Sequence, residues 1–263
     1  MDIKIKNYSI NYEDRGSGLP VVFIHGFPLR SDMWQPQIDF LSSNGFRVIT
    51  PDLRGFGKSE YAPVKKISDF SDDVAALLDH LKIKQAVIAG MSMGGYVLFD
   101  FLDRYKEKAK AAIFIVTRAA SDNEKGKEKR TSLAEKTLAG AHKLAADIFN
   151  PVLFADETYE KNPELVTMVY NWASTTNPKI IANSSIAMRE RKDYTPELSN
   201  FNLPALVIGG SDDRTISNEN SKIIANGMPN AKLEIIPKSG HMANLENPGA
   251  FNKVILNFLK SLK

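Results

Sequence analysis

The feature that most constrains the fold is a series of six short, mostly apolar runs separated by helical and loop segments. Runs of four or five such residues are typical of strands that are covered on both faces, as in a parallel sheet between two layers of helices. The runs are residues 21–24, 46–49, 86–89, 112–116, 205–208 and 233–236. They predict the central strands of one sheet.

The start of the chain has a different pattern. Apolar residues alternate with polar ones at Ile3 and Ile5 and again at Tyr8, Ile10 and Tyr12, which predicts a half-exposed antiparallel pair of strands. We therefore expect an α/β fold of about eight strands, mostly parallel after an antiparallel start, with flanking helices. In such sheets ligands bind at the carboxyl ends of the strands, so the loops that follow the strands are where we look for function.

Two helices are recognisable from their spacing of apolar residues. The first begins near Ser68, which can cap it, and the second closes the chain. The apolar residues are Phe70, Val74, Leu77, Leu78 and Leu81 in the first helix and Phe251, Val254, Ile255, Phe258, Leu259 and Leu262 in the second.

Residues 118–197 interrupt the alternation of strands and helices, because no strand-like run occurs there. We interpret this segment as a helical cap inserted into a core formed by residues 1–117 and 198–263. It carries 12 basic and 12 acidic residues. Its run of mixed charge at residues 124–130 favours a solvated helix face over a binding patch.

Composition excludes several classes of function. The 263 residues contain no cysteine, which removes disulfides, thiolate metal sites and cysteine nucleophiles. A net charge of +3 gives no indication of nucleic-acid binding, and the longest apolar run, residues 111–116, is far too short for a membrane span. The first residues lack the apolar stretch of a signal peptide, so we expect a cytoplasmic protein. No metal or cofactor is implied.

The sequence Gly90-Met91-Ser92-Met93-Gly94 directly follows the predicted strand at residues 86–89 and precedes a helix-compatible run. A Gly-x-Ser-x-Gly turn between a strand and a helix holds the serine in a strained conformation that exposes its hydroxyl. Side chains at positions 90 and 94 would collide with neighbouring backbone. The pattern predicts that Ser92 is a nucleophile.

A serine nucleophile needs a base, and the base needs an acid to orient it. Of the four histidines, His241 lies in the loop after the last predicted strand, where it can reach Ser92. The loop after the strand at residues 205–208 offers two adjacent carboxylates, Asp212 and Asp213, and either can serve. The chain order serine, acid, histidine is that of an α/β-hydrolase triad.

An oxyanion intermediate needs hydrogen-bond donors. The backbone amide of Met93 lies at the start of the helix that follows Ser92. The loop at residues 25–29, after the first buried strand, can supply the amide of Phe27 as a second donor, and Gly26 would let this backbone approach the substrate.

Together these segments resemble the α/β-hydrolase superfamily over nearly the whole chain outside the cap. His25-Gly26-Phe27-Pro28 resembles its oxyanion loop, and residues 51–59, PDLRGFGKS, resemble its loop after the next strand. Gly209-x-x-Asp212-x-x-Thr215 is similar to its acid segment, and this resemblance selects Asp212 over Asp213. Within the superfamily the chain resembles carboxylesterases, enol-lactonase-like hydrolases and cofactor-free haloperoxidase-type esterases.

The resemblance implies a serine hydrolase that cleaves a carboxylic ester or lactone of a small, apolar substrate. Ser92, Asp212 and His241 would be the catalytic residues, with the amides of Phe27 and Met93 as the oxyanion hole. Candidate pocket residues are Phe149, Met168, Trp172, Met188 and Met242. The alternatives are an acyltransferase or perhydrolase with the same triad, and a ligand-binding protein without turnover on a hydrolase scaffold.

Overall fold

A computed structural model describes residues 1–5 and 7–262 of the chain. Lys6 and Lys263, which belong to the two predicted core segments, lie outside the described residues. The described residues form one eight-stranded sheet with the order β1-β2-β4-β3-β5-β6-β7-β8. The strands are β1 (Asp2–Ile5), β2 (Tyr8–Gly16), β3 (Leu19–Ile24), β4 (Phe46–Pro51), β5 (Ala86–Met91), β6 (Ala109–Ile115), β7 (Ala205–Gly210) and β8 (Ala231–Ile236).

The sheet is antiparallel at its start and parallel from β4 onward. β2 pairs antiparallel with both β1 and β4, whereas every later pair in the strand order is parallel. The fold class predicted from the apolar runs is therefore confirmed. A parallel sheet places the ends of β3, β5, β7 and β8 on one edge, and the loops with the predicted functional residues follow these strands.

Eleven α-helices are found among the described residues. They are α1 (Gln35–Ser43), α2 (Ser68–His80), α3 (Met93–Tyr105), α4 (Glu124–Leu138), α5 (Leu144–Phe149), α6 (Asp156–Lys161), α7 (Pro163–Ser174), α8 (Pro178–Arg189), α9 (Asn218–Gly227), α10 (Ala243–Glu246) and α11 (Pro248–Lys260). Four short 3-10 helices occur at Ser31–Trp34, Lys106–Lys108, Asn150–Val152 and Thr195–Asn200. No helix of the described residues is long and apolar enough to cross a membrane.

The central strands, β3 to β7, are buried on both faces, which explains why they lack polar alternation. The edge strand β8 differs, because Glu234 and Ile235 are exposed, so the expectation that residues 233–236 are covered on both faces is wrong. Successive residues of β3 belong to different apolar clusters: Val22 lies in the cluster that contains residues of α2 and α3, and Phe23 in the cluster that contains residues of α1 and α11. The two clusters lie on opposite sides of the sheet because side chains alternate along a strand. Helices on both sides therefore exclude water from the strands that carry the site.

The segment between β6 and β7, every residue of which is described, contains helices and no strand. Helix α4 packs against α8, and α5 packs against α7. This helical segment follows β6, the strand next to β5, and residues of it line the same cavity as Ser92.

Candidate active site

Ser92 occupies a sharp turn between β5 and α3. Its backbone has φ +51° and ψ −112°, a conformation that costs a non-glycine residue of the order of 1–3 kcal/mol. A Cβ at Gly90 would lie 2.2 Å from the Gly94 carbonyl oxygen, and one at Gly94 would lie 2.4 Å from the Ile24 carbonyl oxygen. The expected strained turn, with glycines required on both sides of the serine, is confirmed.

His241 lies in the loop after β8 and contacts Asp213. Its Nδ1 is 2.8 Å from Asp213 Oδ2, and the side chains of both residues are almost fully buried. The other oxygen of this carboxylate accepts hydrogen bonds from the backbone amides of Thr215, at 2.8 Å, and Ile216, at 3.0 Å. Asp213 is thus fixed by its own loop with one oxygen free for the imidazole.

The expectation that Asp212 orients His241 is wrong in this geometry. Asp212 is exposed, and its side chain accepts a hydrogen bond from the Ser211 hydroxyl at 2.5 Å. Its backbone amide donates to the Ser239 carbonyl at 2.8 Å, which holds the residue at the edge of the histidine loop. Adjacent side chains leave this turn in different directions, so only the second aspartate faces inward.

The histidine loop is anchored to the helical segment between β6 and β7. The His241 amide donates to the Leu153 carbonyl at 2.7 Å. Glu246 accepts hydrogen bonds from the amides of Gly240 and Ala155, both at 2.8 Å, and from the Thr158 hydroxyl at 2.7 Å. Burial raises the pKa of Glu246 although these hydrogen bonds oppose the shift. The position of His241 therefore depends on contacts with residues 153–158.

The loop after β3 lies directly against Ser92. A Cβ at Gly26 would be 3.4 Å from Ser92 Cβ, and Phe27, the next residue, lines the same cavity as Ser92. Met93 is the first residue of α3, so its amide has no acceptor within the helix. Both amides expected to form an oxyanion hole thus belong to backbone that adjoins the same side chain.

His25 follows β3 and contacts the backbone of neighbouring loops, whereas His241 contacts a carboxylate. The Nε2 of His25 accepts a hydrogen bond from the Leu53 amide at 3.0 Å, and its Nδ1 donates to the Gly26 carbonyl at 2.9 Å. Complete burial lowers the pKa of His25, which outweighs the opposite effect of Asp52. His25 is therefore a neutral, structural histidine that joins the loops after β3 and β4. His80 and His142 are exposed.

Ser92, His241 and Phe27 line one cavity of about 560 Å³. Two of the five predicted pocket residues, Phe149 and Met188, line it as well. The remaining three do not. Trp172 and Met168 line a separate groove beside α7, and Met242 is fully buried in the core. These three expectations are wrong, because the sequence does not show which apolar side chains of a helix or loop face the cavity and which pack elsewhere.

Comparisons with known proteins identify the family to which the chain belongs. Residues 20–248 match the family model described as alpha/beta hydrolase fold. The structure superposes with a TM-score of 0.96 on a thermophilic esterase from Thermogutta terrifontis, solved with malate bound, at 33% identity over 100% of this chain and 98% of that one. The chain belongs to the α/β-hydrolase family.

Curated relatives carry several activity names. The chain is 29% identical to a putative non-heme chloroperoxidase of Synechocystis sp., with 95% of each chain covered. It is 27% identical to 3-oxoadipate enol-lactonase 1 of Acinetobacter baylyi, over 98% of this chain and 95% of that protein. These relatives support hydrolase activity and leave the substrate open.

Proposed function

We propose that this protein is a serine hydrolase that cleaves a carboxylic ester or lactone through an acyl-enzyme. The observation that carries the proposal is that His241, held by the buried carboxylate of Asp213, lines the same cavity as Ser92 on its strained turn. The similarity to the Thermogutta esterase and to the enol-lactonase supports this choice of bond.

The reaction proceeds in two halves. Asp213 holds Nδ1 of His241, which leaves Nε2 to take the proton of the Ser92 hydroxyl as Oγ bonds to the carbonyl carbon. The amides of Phe27 and Met93 donate to the oxyanion. Collapse of the intermediate breaks the bond to the alcohol oxygen, which receives the proton from His241. Water then gives a proton to His241 as its oxygen bonds to the acyl carbon. Collapse of this second intermediate breaks the bond to Ser92 Oγ, which takes the proton back from His241, and the carboxylic acid leaves.

The inserted segment completes the cavity in this proposal. Residues 118–197 act as a cap over the core formed by residues 1–117 and 198–263. The ring of Phe149, in the cap, packs edge to face against Phe27 at a centroid distance of 5.8 Å. Apolar side chains of the cap, among them Leu133, Leu144 and Met188, give the acyl group a surface without water.

The test uses p-nitrophenyl esters of graded chain length and a fluorophosphonate probe. We expect turnover by the wild-type protein, covalent labelling at Ser92, and loss of both in Ser92→Ala. Wild-type protein that neither turns over an ester nor takes the label on Ser92 would contradict the proposal.

Acyl transfer is the second candidate, favoured by the relative that is named a chloroperoxidase. The same acyl-enzyme would pass its acyl group to hydrogen peroxide instead of water. Adding peroxide to the ester assay separates the two, because a perhydrolase would divert most of the acyl group to peracid, whereas a hydrolase would continue to release carboxylic acid.

A further inference from the structure

The cavity that contains Ser92 has a strongly basic wall. Arg118, Lys129, Arg130 and Lys136 all line it, and Asp122 is the one carboxylate among its lining residues that the structure describes. A pocket for a purely apolar substrate needs no such charges, because desolvating several cations is unfavourable unless an anion replaces the lost water.

The cations and the carboxylates of helix α4 differ in whether they line the cavity. The helix carries five cations, of which Lys129, Arg130 and Lys136 line the cavity, and three carboxylates, none of which does so. The lining positions follow helical spacing, with Gly126 and Leu133 on the same stripe. The mixed run at residues 124–130, expected to be only a solvated face, thus presents only positive charge to the cavity, whereas charges of both signs lie on its other sides.

The single negative charge of Asp122 does not balance the positive charges of the arginines around it. Arg118, Arg130 and Arg191 all form ion pairs with this single carboxylate, which leaves the group with excess positive charge. Burial by itself would raise the pKa of Asp122, but the three guanidinium groups outweigh it and lower the pKa, so the carboxylate stays ionised. The Nε of Arg118 is buried and has no hydrogen-bond partner among the described residues.

Lys129 and Lys136 are exposed and form no ion pair with any residue in the described part of the chain. At 1.5 Å per residue along a helix, their positions are separated by about 10 Å. A cleft lined by charges of one sign raises the local concentration and association rate of an oppositely charged ligand by about 10- to 1,000-fold. The apolar residues of the cap lie beside this charged wall in the same cavity.

We infer that the cavity binds an anionic substrate: an ester or lactone that carries a carboxylate in addition to the bond to be cleaved. Arg118, Lys129, Arg130 and Lys136 receive the carboxylate, and the apolar cap residues contact the hydrocarbon between it and the scissile carbonyl. This inference rests on the proposed serine hydrolase activity and names its class of substrate.

The test compares pairs of esters with the same number of carbon atoms, one with a carboxylate and the other with a methyl group in its place. Monomethyl adipate and methyl hexanoate differ in this way on the acyl side, and acetylated γ-hydroxybutyrate and butyl acetate differ on the alcohol side. We expect at least one anionic ester to be preferred by about tenfold or more in kcat/KM. Added salt should reduce the preference, because exposed charges are screened over about 10 Å at 0.1 M.

A matched pair of double variants locates the site on α4. In Lys129→Gln/Lys136→Gln we expect the ratio of kcat/KM for the anionic and neutral esters to fall about tenfold. In Lys125→Gln/Lys127→Gln, which removes the same charge from residues of α4 that do not line the cavity, the ratio should be unchanged. Equal kcat/KM for charged and neutral esters in the wild type, or a ratio unaffected by the first double variant, would overturn the inference.

Calorimetric binding of adipate to Ser92→Ala separates this inference from the proposed activity. Binding that is lost in Ser92→Ala/Lys129→Gln/Lys136→Gln supports the basic site even if no ester is hydrolysed, in which case only the proposed function fails. Absence of binding together with hydrolysis of neutral esters overturns the anionic substrate and leaves the hydrolase in place.

Discussion

Two neighbouring aspartates differ completely in environment although the sequence presents them as equivalents. Asp213 is buried against His241 and is held by two backbone amides, whereas Asp212 is exposed beside Ser211. A carboxylate that stabilises an imidazolium must be in direct contact with it. The difference of one residue therefore decides which aspartate belongs to the proposed triad.

Replacing each aspartate by asparagine tests this assignment. We expect Asp213→Asn to lower kcat by about 10³- to 10⁴-fold, because the imidazole loses the partner that fixes its tautomer. Asp212→Asn is the matched control and should change kcat by less than about threefold. The measurement is steady-state hydrolysis of a neutral ester by folded protein, and equal losses in the two variants would contradict the assignment.

The sequence located the acid to within one residue. The loop after β7 could be identified from its strand and its turn composition, and it does supply the residue that contacts His241. The spacing that resembles the family's acid segment selects the wrong member of the pair. The direction of each side chain depends on the backbone hydrogen bonds of the turn. The Asp212 amide donates to the carbonyl of Ser239, which is distant in sequence, and the Asp213 amide donates to the carbonyl of Gly210 within the folded loop.

At the scale of elements, the turn between β5 and α3 depends on the absence of side chains. Gly94 lies in the first turn of α3, and its Cβ position overlaps the backbone of β3 at Ile24. Backbone atoms of a central strand cannot yield in the way that a flexible side chain can. The glycine therefore lets the amino end of α3 approach the sheet and positions the amide of Met93 beside Ser92.

Gly94→Ala tests this close approach, with Gly249→Ala as its control. We expect Gly94→Ala to lower the free energy of unfolding by about 1–3 kcal/mol through overpacking. Gly249 lies near the start of α11 with no atom within 4 Å of its Cβ position. Its replacement should stabilise the protein by up to about 1 kcal/mol, because alanine loses less backbone entropy in a helix. Urea unfolding measures both, and a Gly94→Ala protein as stable as wild type would refute the argument.

The face that helix α4 turns toward the cavity is known only from the tertiary structure. The charged residues at positions 124–130 are mixed in sign, which indicated a solvated surface. The helical repeat already separates these charges into faces, but the sequence does not show which face meets the cavity. That choice follows from the packing of α4 against α8 and from the position of the inserted segment beside Ser92.

At the scale of the whole molecule, His25 couples the stability of the fold to pH. Its Nε2 must accept the proton of the Leu53 amide, so a protonated ring would lose this bond and place two N–H groups against each other. Burial lowers the pKa of His25 in the folded state relative to the ordinary value of 6.5. The unfolded chain therefore binds the proton more readily, and the stability gained from a neutral His25 is lost as the pH falls below about 6.5.

The comparison of wild type with His25→Gln tests this coupling. The wild-type free energy of unfolding should fall between pH 7 and pH 5 by up to about 1.4 kcal/mol per pH unit more than that of the variant. Gln can still offer an oxygen to the Leu53 amide and does not titrate. His80→Gln, which replaces an exposed histidine of α2, is the control and should keep the wild-type slope. Parallel curves for wild type and His25→Gln would show that His25 does not cause the dependence.

The sequence by itself determined the layout of the molecule. Short apolar runs specify the strands of the parallel sheet, and the glycines around Ser92 specify a turn that only small residues permit, because burial and steric overlap act on local patterns. Tertiary structure alone decided that Asp213 rather than Asp212 contacts His241, that Phe149 and Met188 but not Trp172, Met168 or Met242 line the cavity, and that basic residues of α4 face it. These outcomes depend on the direction of individual side chains, which is set by contacts between segments far apart in the chain.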